Sequence, residues 1–268
     1  MGKRLVGLGH TVHFFLTLDS RAGVVARVDD LGAEETIIHD VSFAVEDGEI
    51  LVVTGPNGGG KSTIAKLLMG IAQPTGGQIF LNGQDITDLS IDGRSKAGIG
   101  FAFQQPPRFK GMTVRRLLSL AAGRELPEKV CCDLLSSVGL CAREYLNREA
   151  DQTLSGGEMK RIEIATVFAK KHQLSIFDEP EAGIDLWSFS MLVRQFEMMQ
   201  RERDESLLII SHQERILRMA DHILVIAEGK VQNFGTRDEI LPQILAGQNQ
   251  PAGCFCVRRG EEGFHHEA

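Results

Sequence analysis

The chain has little that could take it across a membrane or onto nucleic acid. No uninterrupted apolar run in its 268 residues approaches the ~20 that span a bilayer. Basic charge is outweighed: 29 Lys and Arg against 36 Asp and Glu leave a formal charge of -7. Phosphate backbones are bound by clustered cations, so nucleic acid is set aside as the main partner. The five cysteines form no evident disulfide framework. Cys131, Cys132 and Cys141 fall in a helix-like stretch and are expected to be packing residues in a reducing compartment. Cys254 and Cys256 sit with His265 and His266 in a Gly- and charge-rich tail, read as solvated with incidental thiols. Lys3-Arg4 followed by Leu5 to Leu18 faintly resembles a signal peptide. His10 and His13 interrupt it and no clear small-residue cleavage site follows. The expectation is a cytoplasmic protein with no direct membrane insertion.

What is present is a globular composition. Hydrophobic residues make up 43% of the chain, enough for the core of one large domain or a domain with a lobe. Thr11 to Leu18 and Ile37 to Val45 read as strands, and Glu49 to Thr54 as a short buried strand. Ser62 to Ile71 reads as a helix. Asn82-Gly83, between Ile79-Phe80-Leu81 and Gln84-Asp85-Ile86, predicts a hairpin turn because both residues tolerate positive φ. From Pro106 to about Lys171 the pattern is helical, with apolar spacing of three and four over 114–122, 128–138 and 156–169. Strand and helix then alternate over 174–177, 188–201, 206–210, 214–219 and 222–226, which implies a parallel sheet with helices on both faces. One more helix, 238–245, is expected after Gly235.

Three segments carry chemistry. The first is Gly55-Pro56-Asn57-Gly58-Gly59-Gly60-Lys61-Ser62, between a strand and a helix. Gly55, Gly58 and Gly60 allow a tight turn that points N–H groups inward, and the following helix adds its positive end, so triphosphate oxygens suit the loop. Lys61 would reach the β- and γ-phosphates and Ser62 would ligate Mg²⁺. The second is the apolar run Leu174 to Phe177 ending in Asp178 and Glu179. A buried carboxylate at Asp178 needs a partner, and a Mg²⁺-bound water is a natural one. Glu179 beside a γ-phosphate could polarise the attacking water. The third, Leu154-Ser155-Gly156-Gly157-Glu158, lies between them.

Together these residues resemble the ATP-binding-cassette (ABC) ATPases from about Ile37 to Gly235. Gly55–Ser62 matches Walker A, Gln104 the Q-loop glutamine, Leu154–Glu158 the signature and Leu174–Asp178 Walker B. Glu179 matches the catalytic glutamate, Ala182-Gly183-Ile184-Asp185 the D-loop and His212 the switch histidine. The resemblance implies a P-loop NTPase α/β fold. Its core is a mixed sheet, with an N-terminal antiparallel β subdomain and an inserted α-helical subdomain. It puts the ATPase domain at 1–247, the helical subdomain at about 106–171, and a weakly ordered tail at 248–268.

ATP and Mg²⁺ are the implied ligands. Nucleotide contacts are expected from Gly55, Asn57, Gly58, Gly59, Gly60, Lys61, Ser62 and Thr63. Ser155, Gly156 and Gly157 would contact the γ-phosphate of a second copy, giving a transient ATP-dependent homodimer. Mg²⁺ contacts fall to Ser62, Gln104 and Asp178, and catalytic roles to Glu179, His212 and Gln104, with His212 holding the γ-phosphate and Glu179 in register. The family stacks adenine on an aromatic upstream of Walker A. Val28 to Thr36 has none, and the only Tyr and Trp, Tyr145 and Trp187, come far downstream, so modest affinity or base selectivity is expected.

Several details resemble one branch, the SUF-type iron–sulfur cluster assembly ATPase SufC. They are Gly100 to Pro106, the continuation Met159-Lys160-Arg161-Ile162-Glu163-Ile164, Glu181 and Gly183 of the D-loop, and His212 to Leu217. That branch implies a β-helical SufB- or SufD-like scaffold as partner. The alternative is the ATP-binding subunit of a membrane ABC transporter, with Gln104 to Met112 receiving a transmembrane permease subunit.

Overall fold

The computed structural model describes residues 24–27 and 34–248 of the chain. The expected strand at 11–18, Phe14 and Phe15, and the tail with Cys254 and Cys256 lie outside the described residues. Two short strands, β1 (Val24–Arg27) and β2 (Glu34–Ile38), pair antiparallel. The strand expected to reach Val45 stops at Ile38, because Asp40 adopts a positive φ of 48° that no extended chain can hold. Then come β3 (Ile50–Thr54), α1 (Lys61–Met69) and the hairpin of β4 (Phe80–Leu81) and β5 (Gln84–Asp85). Asn82 and Gly83 take φ of 50° and 77°, as that turn requires.

Two elements follow that the hydrophobic pattern did not announce, α2 (Ile91–Ala97) and β6 (Ile99–Ala102). Only Arg94 of α2 is buried, so the helix carries no apolar stripe. Arg94 donates to the carbonyls of Leu67, Leu68 and Leu89 and so satisfies the C-terminus of α1, which is what lets a guanidinium sit at 0% exposure.

The stretch read as helical contains β7 (Phe109–Thr113), α3 (Val114–Ala122), α4 (Glu128–Ser137), α5 (Ala142–Tyr145), β8 (Glu149–Ala150) and α6 (Gly156–Phe168). The antiparallel pair β7–β8 corrects the all-helical reading; long-range pairing across 35 residues leaves no local trace. Cys131 is buried and Cys132 packs partly buried against the same core, whereas Cys141 is exposed at the N-cap of α5.

The alternation then continues through β9 (Leu174–Asp178), α7 (Leu186–Glu202), β10 (Ser206–Ile210), α8 (Glu214–Leu217), β11 (His222–Ala227), β12 (Lys230–Thr236) and α9 (Arg237–Gln248). The main sheet runs β12-β11-β3-β10-β9-β6, parallel except for β12, which returns antiparallel to β11. β3, β9 and β10 are buried at every residue, hence their near-continuous apolar runs. Their side chains alternate between two cores. Ile50, Val52, Phe177, Leu207 and Ile209 face the helices of the inserted segment and α7, while Leu51, Val53, Ile176, Leu208 and Ile210 face α1 and the β4–β5 hairpin. With β3 at the centre, the carboxyl ends of β3, β9 and β10 open at one edge, where ligands bind in sheets of this kind.

Candidate functional site

The loop leaving β3 turns at Gly55, with φ of 131° and so little room that an added Cβ would lie 2.0 Å from the Ile226 carbonyl oxygen. It enters α1 at Gly60, φ 103°. No side chain caps α1 and its first turn holds no acid, so its first N–H groups point at open space and suit an anion. Lys61 folds back over the loop and donates to the carbonyls of Gly55 (2.8 Å) and Pro56 (2.9 Å). Burial lowers the pKa of its ammonium, against the pull of Glu179 and Asp178.

Ser62 Oγ donates to Asp178 Oδ1 at 3.1 Å, joining the start of α1 to the end of β9. Asp178 is 2% exposed, and desolvation raises its carboxyl. A hydroxyl and a buried carboxylate are the hard oxygen donors that Mg²⁺ prefers. Among the described residues no group of three or more His, Cys, Asp or Glu could hold a metal ion.

Glu179 follows with φ of 46°, a left-handed conformation costing a non-glycine residue roughly 1–2 kcal/mol. Its N–H donates to the Ile210 carbonyl and its own carbonyl accepts from Ala182 N–H, which holds the turn. Gln104 Nε2 donates to Glu179 Oε2 at 2.9 Å. His212 lies 3.3 Å from Thr54 Oγ1 through Nδ1, so its hydrogen-bond partner is Thr54 and not Glu179. Partial desolvation, then the Lys61 ammonium, hold its imidazole below the ordinary range.

A cleft of about 340 Å³ opens between these groups. Asn57, Gly58, Gly60, Lys61, Ser62 and Thr63 form one wall, Gln104 and Glu179 the other. Ile37 stands at its edge, and among the described residues no aromatic lines it.

Ser155, Gly156 and Gly157 are absent from this lining. They begin α6, capped reciprocally: Ser155 Oγ accepts from Glu158 N–H and Glu158 Oε2 from Ser155 N–H. The Tyr145 hydroxyl also donates to Glu158, and these bonds, Tyr145 first, hold its carboxyl at about 2. Gly157 packs so closely on the Gly183 carbonyl that a Cβ would sit 2.2 Å from it, whereas nothing lies within 4 Å of a Cβ at Gly156. The start of α6 is therefore an exposed helix end, capped within the chain by Ser155 and Glu158, that is absent from the lining of the chain's own cleft. Asp185 caps α7 by accepting from Trp187 and Ser188 N–H, both at 3.0 Å.

Beneath the site lie charges whose place the sequence reading missed. Lys160 and Glu163 are 1% and 6% exposed, and Glu181 accepts from Ser211 Oγ at 2.6 Å. An i,i+3 Lys–Glu pair on a helix otherwise rich in apolar residues was the available signal.

The family model for ABC transporters matches residues 38–182, over half of the chain. An uncharacterized ABC transporter ATP-binding protein of Methanocaldococcus jannaschii is 38% identical over 228 residues, covering 81% of this chain and 91% of that protein. The sulfate/thiosulfate import ATP-binding protein CysA of Synechocystis sp. is 31% identical over 222 residues, 81% of this chain; the match spans 61%, under two thirds, of that relative's length. Among solved structures, a bacterial ABC transporter cassette determined as a dimer superimposes with a TM-score of 0.71 at 22% identity, covering 81% of this chain and 97% of that one. That likeness is one of fold.

Proposed function

We propose a role for a chain that belongs to the ABC transporter family of ATPases: it is the ATP-hydrolysing subunit that drives a separate membrane-spanning partner. The observation carrying this reading is the position of Ser155–Gly157, an exposed helix start absent from the lining of the cleft that holds Lys61 and Ser62. Such a half-site gains a ligand when a second copy presents its bound triphosphate. Two copies closed around ATP are stabilised by it, and hydrolysis releases them. The dimeric state of the cassette with the same fold supports this.

In the closed state Lys61 and the loop amides neutralise the β- and γ-phosphates. Glu179, held by Gln104, orients and polarises the attacking water. His212, kept neutral, can donate to a γ-phosphate oxygen. Ser62 and Asp178 would hold Mg²⁺, which supplies charge neutralisation of the phosphates. Among the described residues Ile37, and no ring, stands at the cleft edge, which supports a reading in which the phosphates supply most of the affinity.

The names of the relatives, an ABC transporter ATP-binding protein and an import ATP-binding protein, support transport as the work done. Which solute moves is set by the partner. A second reading, service to a SufB- or SufD-like iron–sulfur scaffold, is favoured by one observation: among the described residues no aromatic lines the cleft, in keeping with the SUF resemblance. Neither relative is named for that pathway, so it ranks second.

The test is isolation of the chain with its native partner in mild detergent, with ATPase assay and analysis of the eluate for protein, iron and sulfide. A multi-span membrane protein that stimulates Mg²⁺-dependent ATP hydrolysis is the expected result. A soluble β-rich partner with iron and sulfide would replace the transport reading with the second one. Absence of ATP hydrolysis with any partner would remove both.

A further inference from the structure

Strands β6 and β9 are paired in parallel up to Ala102 opposite Phe177. Beyond that pair the strands part, Phe103 leading to Gln104 on one prong and Asp178 leading to Glu179 on the other. Backbone groups at such a fork lose their ladder partners and, when buried, need replacements. Helix α6 provides them. Lys160 Nζ donates to the carbonyls of both Phe103 and Asp178, the latter at 3.0 Å. Glu163 Oε1 accepts from Phe103 N–H at 2.9 Å. One ammonium therefore ties the two prongs together, each tie one residue before a member of the Gln104–Glu179 hydrogen bond.

Stability alone does not account for this arrangement. Glu163 Oε2 is buried without a hydrogen-bond partner, and its separation from Lys160 Nζ is 3.8 Å. Desolvation pushes the carboxyl up to about 7. Buried pairs of this quality are commonly no more stabilising than apolar side chains of the same size. What the pair supplies is geometry. Helix α6 starts at Ser155, and Lys160 lies five residues along it, about 7.5 Å at the helical rise. The same rigid element thus carries the exposed Ser155–Gly157 end and the staple at the fork.

We infer that Lys160 and Glu163 are positioning residues that couple the Ser155–Gly157 end of α6 to the Gln104–Glu179 pair, so that engagement of a second copy's phosphate sets the register in which water attacks the γ-phosphate. The inference rests on the proposed roles of Gln104 and Glu179.

The experiment measures steady-state ATP hydrolysis and ATP affinity of the full chain with Mg²⁺, for the wild type and for Lys160→Met, Glu163→Leu, Glu163→Gln and the double variant Lys160→Met/Glu163→Leu. Lys160→Met is expected to lower kcat by about tenfold or more, with KM and the Kd for ATP within about twofold. Glu163→Gln, which keeps an oxygen for Phe103 N–H, is expected to recover most of the turnover that Glu163→Leu loses. The double variant removes both buried charges but leaves the Phe103 and Asp178 backbone groups without their side-chain partners, so its melting temperature is measured alongside. In it kcat remains low at temperatures well below its melting transition. Wild-type kcat in the double variant, or a rise in KM at unchanged kcat, overturns the inference and leaves the ATPase reading intact. Lack of hydrolysis by the wild type overturns the reading itself and the inference with it.

Discussion

Gln104 Nε2 meets Glu179 Oε2 at 2.9 Å across two strands whose last paired residues, Ala102 and Phe177, lie just upstream. The contact joins the segment entering the inserted lobe to the acid beside the phosphate loop. Glu179 is the proposed activator of water, and this bond is where a shift of the Gln104 segment would reach it. Each prediction below tests one part of that arrangement.

Glu179→Gln keeps the side-chain shape but removes the carboxylate. Turnover should fall by ~10²–10⁴-fold, the usual scale of general-base assistance, while ATP still binds and dimers accumulate. Size-exclusion chromatography with light scattering reads the dimer. Trp187, the only tryptophan and 82% exposed on the first turn of α7 beside Asp185, gives an optical signal of closure. Wild-type turnover in this variant would contradict the role of Glu179.

Ser155→Arg places bulk and charge at the exposed start of α6, outside the lining of the chain's own cleft. ATP affinity should be unchanged and hydrolysis abolished, because only the second copy's phosphate is obstructed. Calorimetry and a phosphate-release assay separate the two effects; full activity would sink the two-copy mechanism.

Lys61→Ala removes the ammonium that now bonds the Gly55 and Pro56 carbonyls and would turn to phosphate oxygens. Nucleotide binding should weaken by roughly 1.5–3 kcal/mol, the worth of a charge-assisted hydrogen bond. Unchanged affinity by calorimetry would show that Lys61 stays folded on its loop.

Glu163 has a carboxyl raised from 4.5 to about 7 by desolvation, with Lys160 opposing and Asp178 reinforcing the shift. The folded state therefore binds this proton more tightly than the unfolded state. The sign follows: stability from this group is present below about pH 4.5 and is lost as pH rises through about 7. The loss is at most on the order of 3 kcal/mol, reduced by coupling to Lys160. Glu163→Gln should flatten the decline of the urea midpoint between pH 5 and pH 8. Equal slopes in both proteins would mean the carboxyl titrates normally.

The strand–loop–helix around Gly55 to Ser62 was legible because every requirement is local: glycines at positive φ, an apolar strand before and an uncapped helix after. The same holds for α3, read as 114–122 and found there, whose apolar residues recur at helical spacing. β12 was not legible, because an edge strand alternates partly buried and exposed residues and its neighbour is identified only once the sheet exists. Lys160 and Glu163 drew notice as a resemblance and not as a structural joint. Their shared partner, the Phe103 backbone, is about 60 residues away and the Asp178 carbonyl 18, and a backbone group leaves no mark in the residue code.

From the residues alone came the family resemblance, the phosphate loop, and the acids at the end of β9, since these depend on residue type and short spacing. The folded structure alone decided that Ser62 meets Asp178, that His212 bonds to Thr54, and that the start of α6 stands apart from the cleft it resembles in chemistry. Those facts depend on which strands lie side by side and where their ends diverge. Burial of the whole chain sets that order, and no local pattern encodes it.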